Sequence, residues 1–85
     1  MKADNHVVPL GTLRPGETGA IVALAGGRGF VARCLALGCT PGTRVTVERN
    51  AGRGPIIVKV RGTRLALGRG ESMRLQVEKK REPKA

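Results

Sequence analysis

The chain has 85 residues and carries 16 basic against 6 acidic side chains, which gives a formal net charge of +10 at pH 7. Its length allows one domain with one small core, and no apolar run approaches the roughly 20 residues that a membrane-spanning helix needs. Phe30 is the one aromatic residue among many branched aliphatics, and 13 glycines mark frequent turns, so the composition favours a small all-β fold.

The N-terminal segment is polar and shows no strand pattern. We therefore expect residues 1–9 to form a flexible arm, with no apolar stretch of the kind that a signal peptide requires, and we expect a cytoplasmic protein. Leu10 and Leu13 are expected to anchor a turn after this arm. Residues 18–25 predict a first strand, and the glycines that follow it end the strand.

The only predicted helix covers residues 30–37. Phe30 and Cys34 share one face of this helix because they are four residues apart. Gly38 follows the last apolar residue, so we expect it to close the helix with a positive φ, and Pro41 prevents continuation. Two helical turns are not stable alone, so the helix must pack on the sheet and cap one end of it.

The rest of the chain alternates between apolar and polar residues, which is typical of half-buried antiparallel strands. Two residues, Gly62 and Thr63, separate two apolar runs and indicate a hairpin, and Gly70-Glu-Ser72 is expected to turn the chain before the last strand. The pattern predicts a mainly β fold, a small five-stranded barrel with one short α-helix over residues 10–78, and a disordered basic tail over residues 79–85. Basic residues dominate its outward positions, which include Arg44, Lys59, Arg61, Arg64 and Arg74.

No grouping of residues in the sequence suggests catalysis, so we predict no catalytic residue and no cofactor. Cys34 and Cys39 are spaced for neither a CxxC redox motif nor a four-ligand zinc site, and we expect both to be buried core residues. His6 is the only histidine. With Asp4 it is a candidate for adventitious metal binding only, because zinc usually takes four ligands.

Five short motifs follow one another between residues 10 and 77. They are Leu13-Arg-Pro-Gly-Glu-x-Gly19-x-Ile21, Arg33-Cys-Leu-Ala-Leu-Gly-Cys-Thr-Pro-Gly42, Thr43-x-Val45-x-Val47, Gly54-Pro-Ile-Ile-Val-x-Val60-x-Gly62 and Leu65-Ala-Leu-Gly-Arg69. In order and spacing this set resembles the ferrous iron transport protein A family (FeoA). Cys34 and Cys39 stand where that family usually has bulky aliphatics, which again favours a place in the core.

The resemblance implies an SH3-like barrel that acts as a non-enzymatic, cytoplasmic accessory protein of bacterial ferrous iron uptake. The implied partner is the inner-membrane Fe(II) transporter with an N-terminal GTPase domain (FeoB), on whose cytosolic region the chain would dock to modulate activity or assembly. The chain itself would be a monomer or a weak homodimer.

The predicted docking surface combines the helix, its exit and the nearby arginines. Its candidate partner-binding residues are Arg28, Arg33, Leu37, Gly38, Pro41, Arg53 and Arg61, and its candidate structural residues are Gly38, Pro41, Gly42, Cys34 and Cys39. The alternative is a small barrel that binds nucleic acid nonspecifically, since a basic surface suits phosphates. We expect no specific nucleic acid, because such barrels stack bases on aromatic side chains and Phe30 is expected in the core.

Overall fold

The computed structural model describes residues 5–80, over which the chain forms six strands, two α-helices and one 3-10 turn. The strands are β1 (Asn5–Pro9), β2 (Thr18–Leu24), β3 (Arg44–Arg49), β4 (Ile56–Val60), β5 (Thr63–Leu67) and β6 (Leu75–Lys80). The helices are α1 (Arg28–Ala36) and α2 (Arg69–Ser72), and the 3-10 turn is Leu10–Thr12. Within this part of the chain no helix is long and apolar enough to cross a membrane.

All six strands belong to one antiparallel sheet in the order β1-β6-β2-β3-β4-β5. Alternation along the strands sends Val45 and Val47 of β3, and the facing Val58 and Val60 of β4, into one core. Leu10 and Leu13 are fully buried beside them, and Phe30 is 8% exposed. The predicted mainly β fold with a short helix is therefore confirmed.

The N-terminal segment differs from the expectation of a flexible arm. Residues 5–9 form a sixth strand because they pair along β6, with His6 opposite Lys79 and Val8 opposite Val77. Strand β6 extends to Lys80, so the first two residues of the expected tail are also paired. The remaining parts of the expected arm and tail, residues 1–4 and 81–85, lie outside the described residues.

The two predicted turns after β4 also differ in detail. The hairpin loop is Arg61-Gly62 rather than Gly62-Thr63, because Val60 pairs with Thr63. Both loop residues have positive φ, 51° and 83°, as a type I′ turn requires. Where a simple turn was expected before β6, the short helix α2 forms, with the buried Ser72 hydroxyl donating to the Arg69 carbonyl at 2.7 Å.

Helix α1 begins at Arg28 and its C-cap is Leu37. The N–H of Gly38 donates to the Leu35 carbonyl at 3.1 Å, and the N–H of Cys39 donates to the Cys34 carbonyl at 2.8 Å. These two bonds define a Schellman motif, in which the residue after the left-handed position and the third residue from the helix end commonly make an apolar contact. Cys39 and Cys34 occupy those two positions, and both are buried.

The predicted positive φ of Gly38 is confirmed, at 91°. Only glycine adopts this conformation without strain. An added Cβ would also lie 2.9 Å from Cδ of Arg61, which packs over Gly38. The closure of α1 therefore depends on glycine for its left-handed backbone, and an added Cβ would in addition displace the Arg61 side chain.

A matched pair of alanine substitutions tests this closure. Gly38→Ala should lower the melting temperature by about 4–8 °C, because a left-handed alanine costs on the order of 1 kcal/mol in a domain of this size. Gly29→Ala, inside helix α1 with open space around the added Cβ, should leave the melting temperature unchanged or raise it. Thermal unfolding followed by circular dichroism measures both, and equal effects of the two substitutions would contradict this account.

Candidate partner-binding surface

The outer face of helix α1 presents two large apolar side chains to solvent. Phe30 and Cys34 turn inward and are buried, whereas Leu35 is 46% exposed and Leu37 is 41% exposed. These leucines lie at the end of the helix, immediately before its glycine cap. Leu35 was not among the predicted site residues, although its place one residue after the inward-facing Cys34 could have indicated it.

Arg61 joins these leucines from a distant part of the chain. Its side chain leaves the β4–β5 hairpin loop and lies against Gly38, where the absence of a Cβ makes room for it. The structure therefore brings together three of the predicted partner-binding residues, Leu37, Gly38 and Arg61. We call Leu35, Leu37, Gly38, Pro41 and Arg61 the helix-exit surface.

The turn that completes this surface is held by its own hydrogen bonds. The Thr43 N–H donates to the Thr40 carbonyl at 3.0 Å, and the Gly42 N–H donates to the Ile21 carbonyl of β2 at 2.7 Å. Pro41 is exposed at the second position of this turn and Gly42 has a φ of 93°, which is the pattern of a type II turn. Pro41 is thus presented on a turn that is fixed to the sheet.

Arg33 and Arg28 are placed differently from Arg61. The Arg33 guanidinium forms an ion pair with the Glu71 carboxylate at 2.8 Å, so it links α1 to α2. Arg28 is the exposed first residue of α1, about 13 Å along the helix from its end. Neither side chain adds an unpaired positive charge beside Gly38.

Arg53 lies at the other end of the sheet. It belongs to the loop before β4, whereas Arg61 follows β4, so the five residues of that strand separate the two arginines. A strand of this length spans about 16 Å. The structure therefore does not bring Arg53 to the helix-exit surface.

The two cysteines are free and buried, as expected. Burial is the largest cause that raises the pKa of each thiol above its ordinary value. The thiolate is the nucleophile and the metal ligand, so this environment favours a packing role over a reactive one.

Metal ligands are sparse in the part of the chain that is described. No cluster of three or more His, Cys, Asp or Glu side chains is present in residues 5–80. His6 is half-buried on β1, opposite Lys79 in the register, and the Lys79 ammonium is paired with the Glu17 carboxylate at 2.8 Å. Its predicted companion, Asp4, lies outside the described residues.

The fold and this surface define the class of protein, a small SH3-like barrel with an exposed apolar and basic patch at one helix end. The FeoA domain family matches residues 8–79, and the chain belongs to that family. A Methanocaldococcus jannaschii protein named for Fe(2+) transport protein A is 33% identical over 70 residues, which cover 82% of this chain and 84% of the relative.

Solved structures agree with this family. The crystal structure of an iron uptake regulatory protein (FeoA) superimposes with a TM-score of 0.81 at 38% identity, covering 87% of this chain and 99% of that one. Stenotrophomonas maltophilia FeoA complexed with zinc, described as a prokaryotic SH3 domain protein, gives a TM-score of 0.70 at 24% identity over 86% of this chain and 96% of that one. The resemblance to FeoA proteins and the SH3-like fold are therefore confirmed.

Thiol labelling tests the placement of the cysteines. In the folded protein at pH 8, a disulfide reagent should label Cys34 and Cys39 on the order of 100-fold more slowly than in denaturant, because labelling requires local opening of the core. An Ala51→Cys variant, with its thiol in an exposed loop, should gain one rapidly labelled group. Rapid labelling of the unsubstituted folded protein would show that α1 does not pack as described.

The α1–α2 link predicts a loss of stability in acid. The Gly68 N–H and then the Arg33 guanidinium lower the pKa of the Glu71 carboxyl below its ordinary value of 4.5. Because the unfolded chain takes up the proton first, this stabilisation is present above pH 4.5 and is lost as the pH falls through the lower, folded-state pKa. Glu71→Gln should therefore lower the melting temperature at pH 7 and flatten its decline between pH 5 and pH 3.

Glu78→Gln is the control for this pH series. Within residues 5–80 the Glu78 carboxylate makes no hydrogen bond or ion pair, so this variant should follow the wild-type decline. If the melting temperature of Glu71→Gln falls with pH as steeply as that of Glu78→Gln, the Glu71 carboxylate does not contribute to the acid sensitivity.

Proposed function

We propose that the chain is a non-enzymatic, cytoplasmic accessory protein of ferrous iron uptake that docks through the helix-exit surface on the cytosolic region of a FeoB-type transporter. Docking modulates the activity or assembly of that transporter. The observation that carries the proposal is the pair of exposed leucines beside Arg61 in a domain of the FeoA family. The zinc-bound relative, described as a candidate activating factor of bacterial ferrous iron transport, supports the same role.

The leucines supply the affinity in this proposal. Complete burial of one leucine side chain is worth about 1.5–3 kcal/mol, and Leu35 and Leu37 are each a little under half exposed. Docking that covers both side chains thus gives a modest contribution, in keeping with a reversible accessory. The fixed turn at Pro41 keeps the surface in one shape, which lowers the entropy lost on binding.

Arg61 supplies the electrostatic part. Within residues 5–80 its guanidinium forms no ion pair, so it is available to an acidic group on the partner. A charge at the rim of an interface changes the association rate and its salt dependence more than the final affinity. The burial of Phe30 leaves the alternative nucleic-acid function without an aromatic platform for bases.

The test measures binding of the chain to the transporter's immobilised cytosolic region by surface plasmon resonance. Arg61→Glu should reduce the association rate about three- to tenfold at low salt, and the difference should shrink at 1 M salt, where the screening length is about 3 Å. A Leu35→Gln, Leu37→Gln double variant should mainly raise the dissociation rate, because it removes apolar contact area.

Arg14→Glu is the matched control, since it makes the same change in net charge at an exposed residue of the turn before β2, which lies outside the helix-exit surface and is bonded to the far end of β3 through Gly16. It should reduce the association rate much less than Arg61→Glu does. Circular dichroism must show that every variant is folded. If folded Arg61→Glu and the double leucine variant bind as the wild type does at both salt concentrations, the helix-exit surface is not the docking site.

A further inference from the structure

A second surface lies at the opposite end of β4 from the helix-exit surface. It is a cleft of about 190 Å³ that is open to solvent, and it is lined by Arg49, Ala51, Arg53, Pro55 and Ile57. These residues come from the end of β3, the β3–β4 loop and the start of β4. None of them contributes to the helix-exit surface, so a role for this cleft is independent of the proposed function.

A β-bulge determines which side chain faces this cleft. Val47 pairs with Val58, but the next pair is Arg49 with Ile57, so Glu48 is the additional residue on β3. In an uninterrupted ladder Glu48 would stand opposite Ile57. Because bulges redirect side chains, the irregularity places a guanidinium in the cleft wall where a carboxylate would otherwise be.

The displaced carboxylate is paired elsewhere. Glu48 accepts a hydrogen bond from the Arg64 guanidinium of β5 in an ion pair of 2.6 Å. Neither Arg49 nor Arg53 forms an ion pair within the described chain. The cleft wall therefore carries two positive charges and no negative one.

The loop that carries Arg53 is held from both sides. The Asn50 side-chain amide donates to the carbonyls of Gly11 and Leu13 at 3.1 and 2.8 Å. The Arg69 guanidinium donates to the Asn50 side-chain oxygen at 2.9 Å and to the Gly54 carbonyl at 3.1 Å. These bonds fix the loop before any ligand arrives, so little ordering entropy is lost on binding.

We propose that this cleft binds an acidic peptide segment of a protein partner, with a carboxylate between Arg49 and Arg53 and a neighbouring apolar side chain against Pro55 and Ile57. Arginine suits this role because its planar guanidinium binds carboxylates in a two-pronged geometry. The apolar residues of the cleft favour a peptide over a small anion as its ligand. A free oxyanion leaves Ala51, Pro55 and Ile57 exposed, whereas a peptide covers them while it pairs with the arginines.

The test uses the full chain and three probes, followed by amide chemical shifts. The probes are a capped peptide with one glutamate beside one leucine, the same peptide with glutamine in place of glutamate, and inorganic phosphate. The glutamate peptide should shift the amides of Ala51, Arg53 and Ile57. Arg49→Gln and Arg53→Gln should each weaken its binding by up to about fivefold, the upper end of the range measured for solvent-accessible ion pairs.

Arg44→Gln is the matched control, because Arg44 is an exposed arginine at the start of β3 that does not line the cleft. It should leave the binding unchanged. Equal weakening by Arg44→Gln would show attraction to net charge only, and equal binding of the glutamine peptide would exclude the carboxylate. Phosphate that binds as tightly and shifts the same amides would make this a site for small oxyanions. Each of these results, like an absence of binding, would overturn the proposal.

Discussion

Two backbone hydrogen bonds and one pair of buried sulfur side chains close helix α1. The side chains of Cys34 and Cys39 are in contact and buried below the left-handed Gly38. The backbones of the same two residues form one of the hydrogen bonds that end the helix. On the outer side of Gly38, the absence of a Cβ leaves room for the Arg61 side chain from the β4–β5 hairpin. The inner packing and the outer chemistry of this end of the barrel therefore depend on one residue having no side chain.

The basic residues that give the chain its net charge of +10 have different structural roles. Arg33 and Arg64 are held by Glu71 and Glu48, and Arg69 is bound to the β3–β4 loop. These three arginines tie helices, strands and loops together. Arg61 and the two arginines of the cleft form no ion pair within residues 5–80, and they lie at opposite ends of β4 in places with different geometry.

The parts of the fold that were predictable from the sequence depend on local signals. The alternation of Val45 and Val47, and the glycine after an apolar helix end, each need only a few neighbouring residues to be interpreted. Strand β1 was missed because His6 to Pro9 are too few residues to show alternation, and its pairing partner lies at the far end of the chain. Within the candidate surface, Leu37 and Gly38 were recognisable.

Other contacts at the two surfaces were not predictable. The bulge at Glu48 and the ion pair of Arg33 arise from the register between strands and from packing between helices. Sequence spacing does not encode either. The same limit applies to Arg53, which was grouped with the docking residues because it is basic, and which the length of β4 separates from them.

The position of β6 in the sheet has a consequence for how the chain is made. Strand β6 lies between β1 and β2, although it is the last of the six strands to leave a ribosome. Until residues 75–80 emerge, the strand that lies between β1 and β2 is absent, so these two strands cannot be connected in the sheet. Leu75 and Val77 are also missing from the core until then. A nascent chain of this topology can pair β2 to β5 in order, but it cannot complete the barrel before β6 emerges, and the closing of such a long loop is slow. Folding must therefore follow synthesis of nearly the whole domain, and a chain cut short before β6 would expose its apolar strands to aggregation.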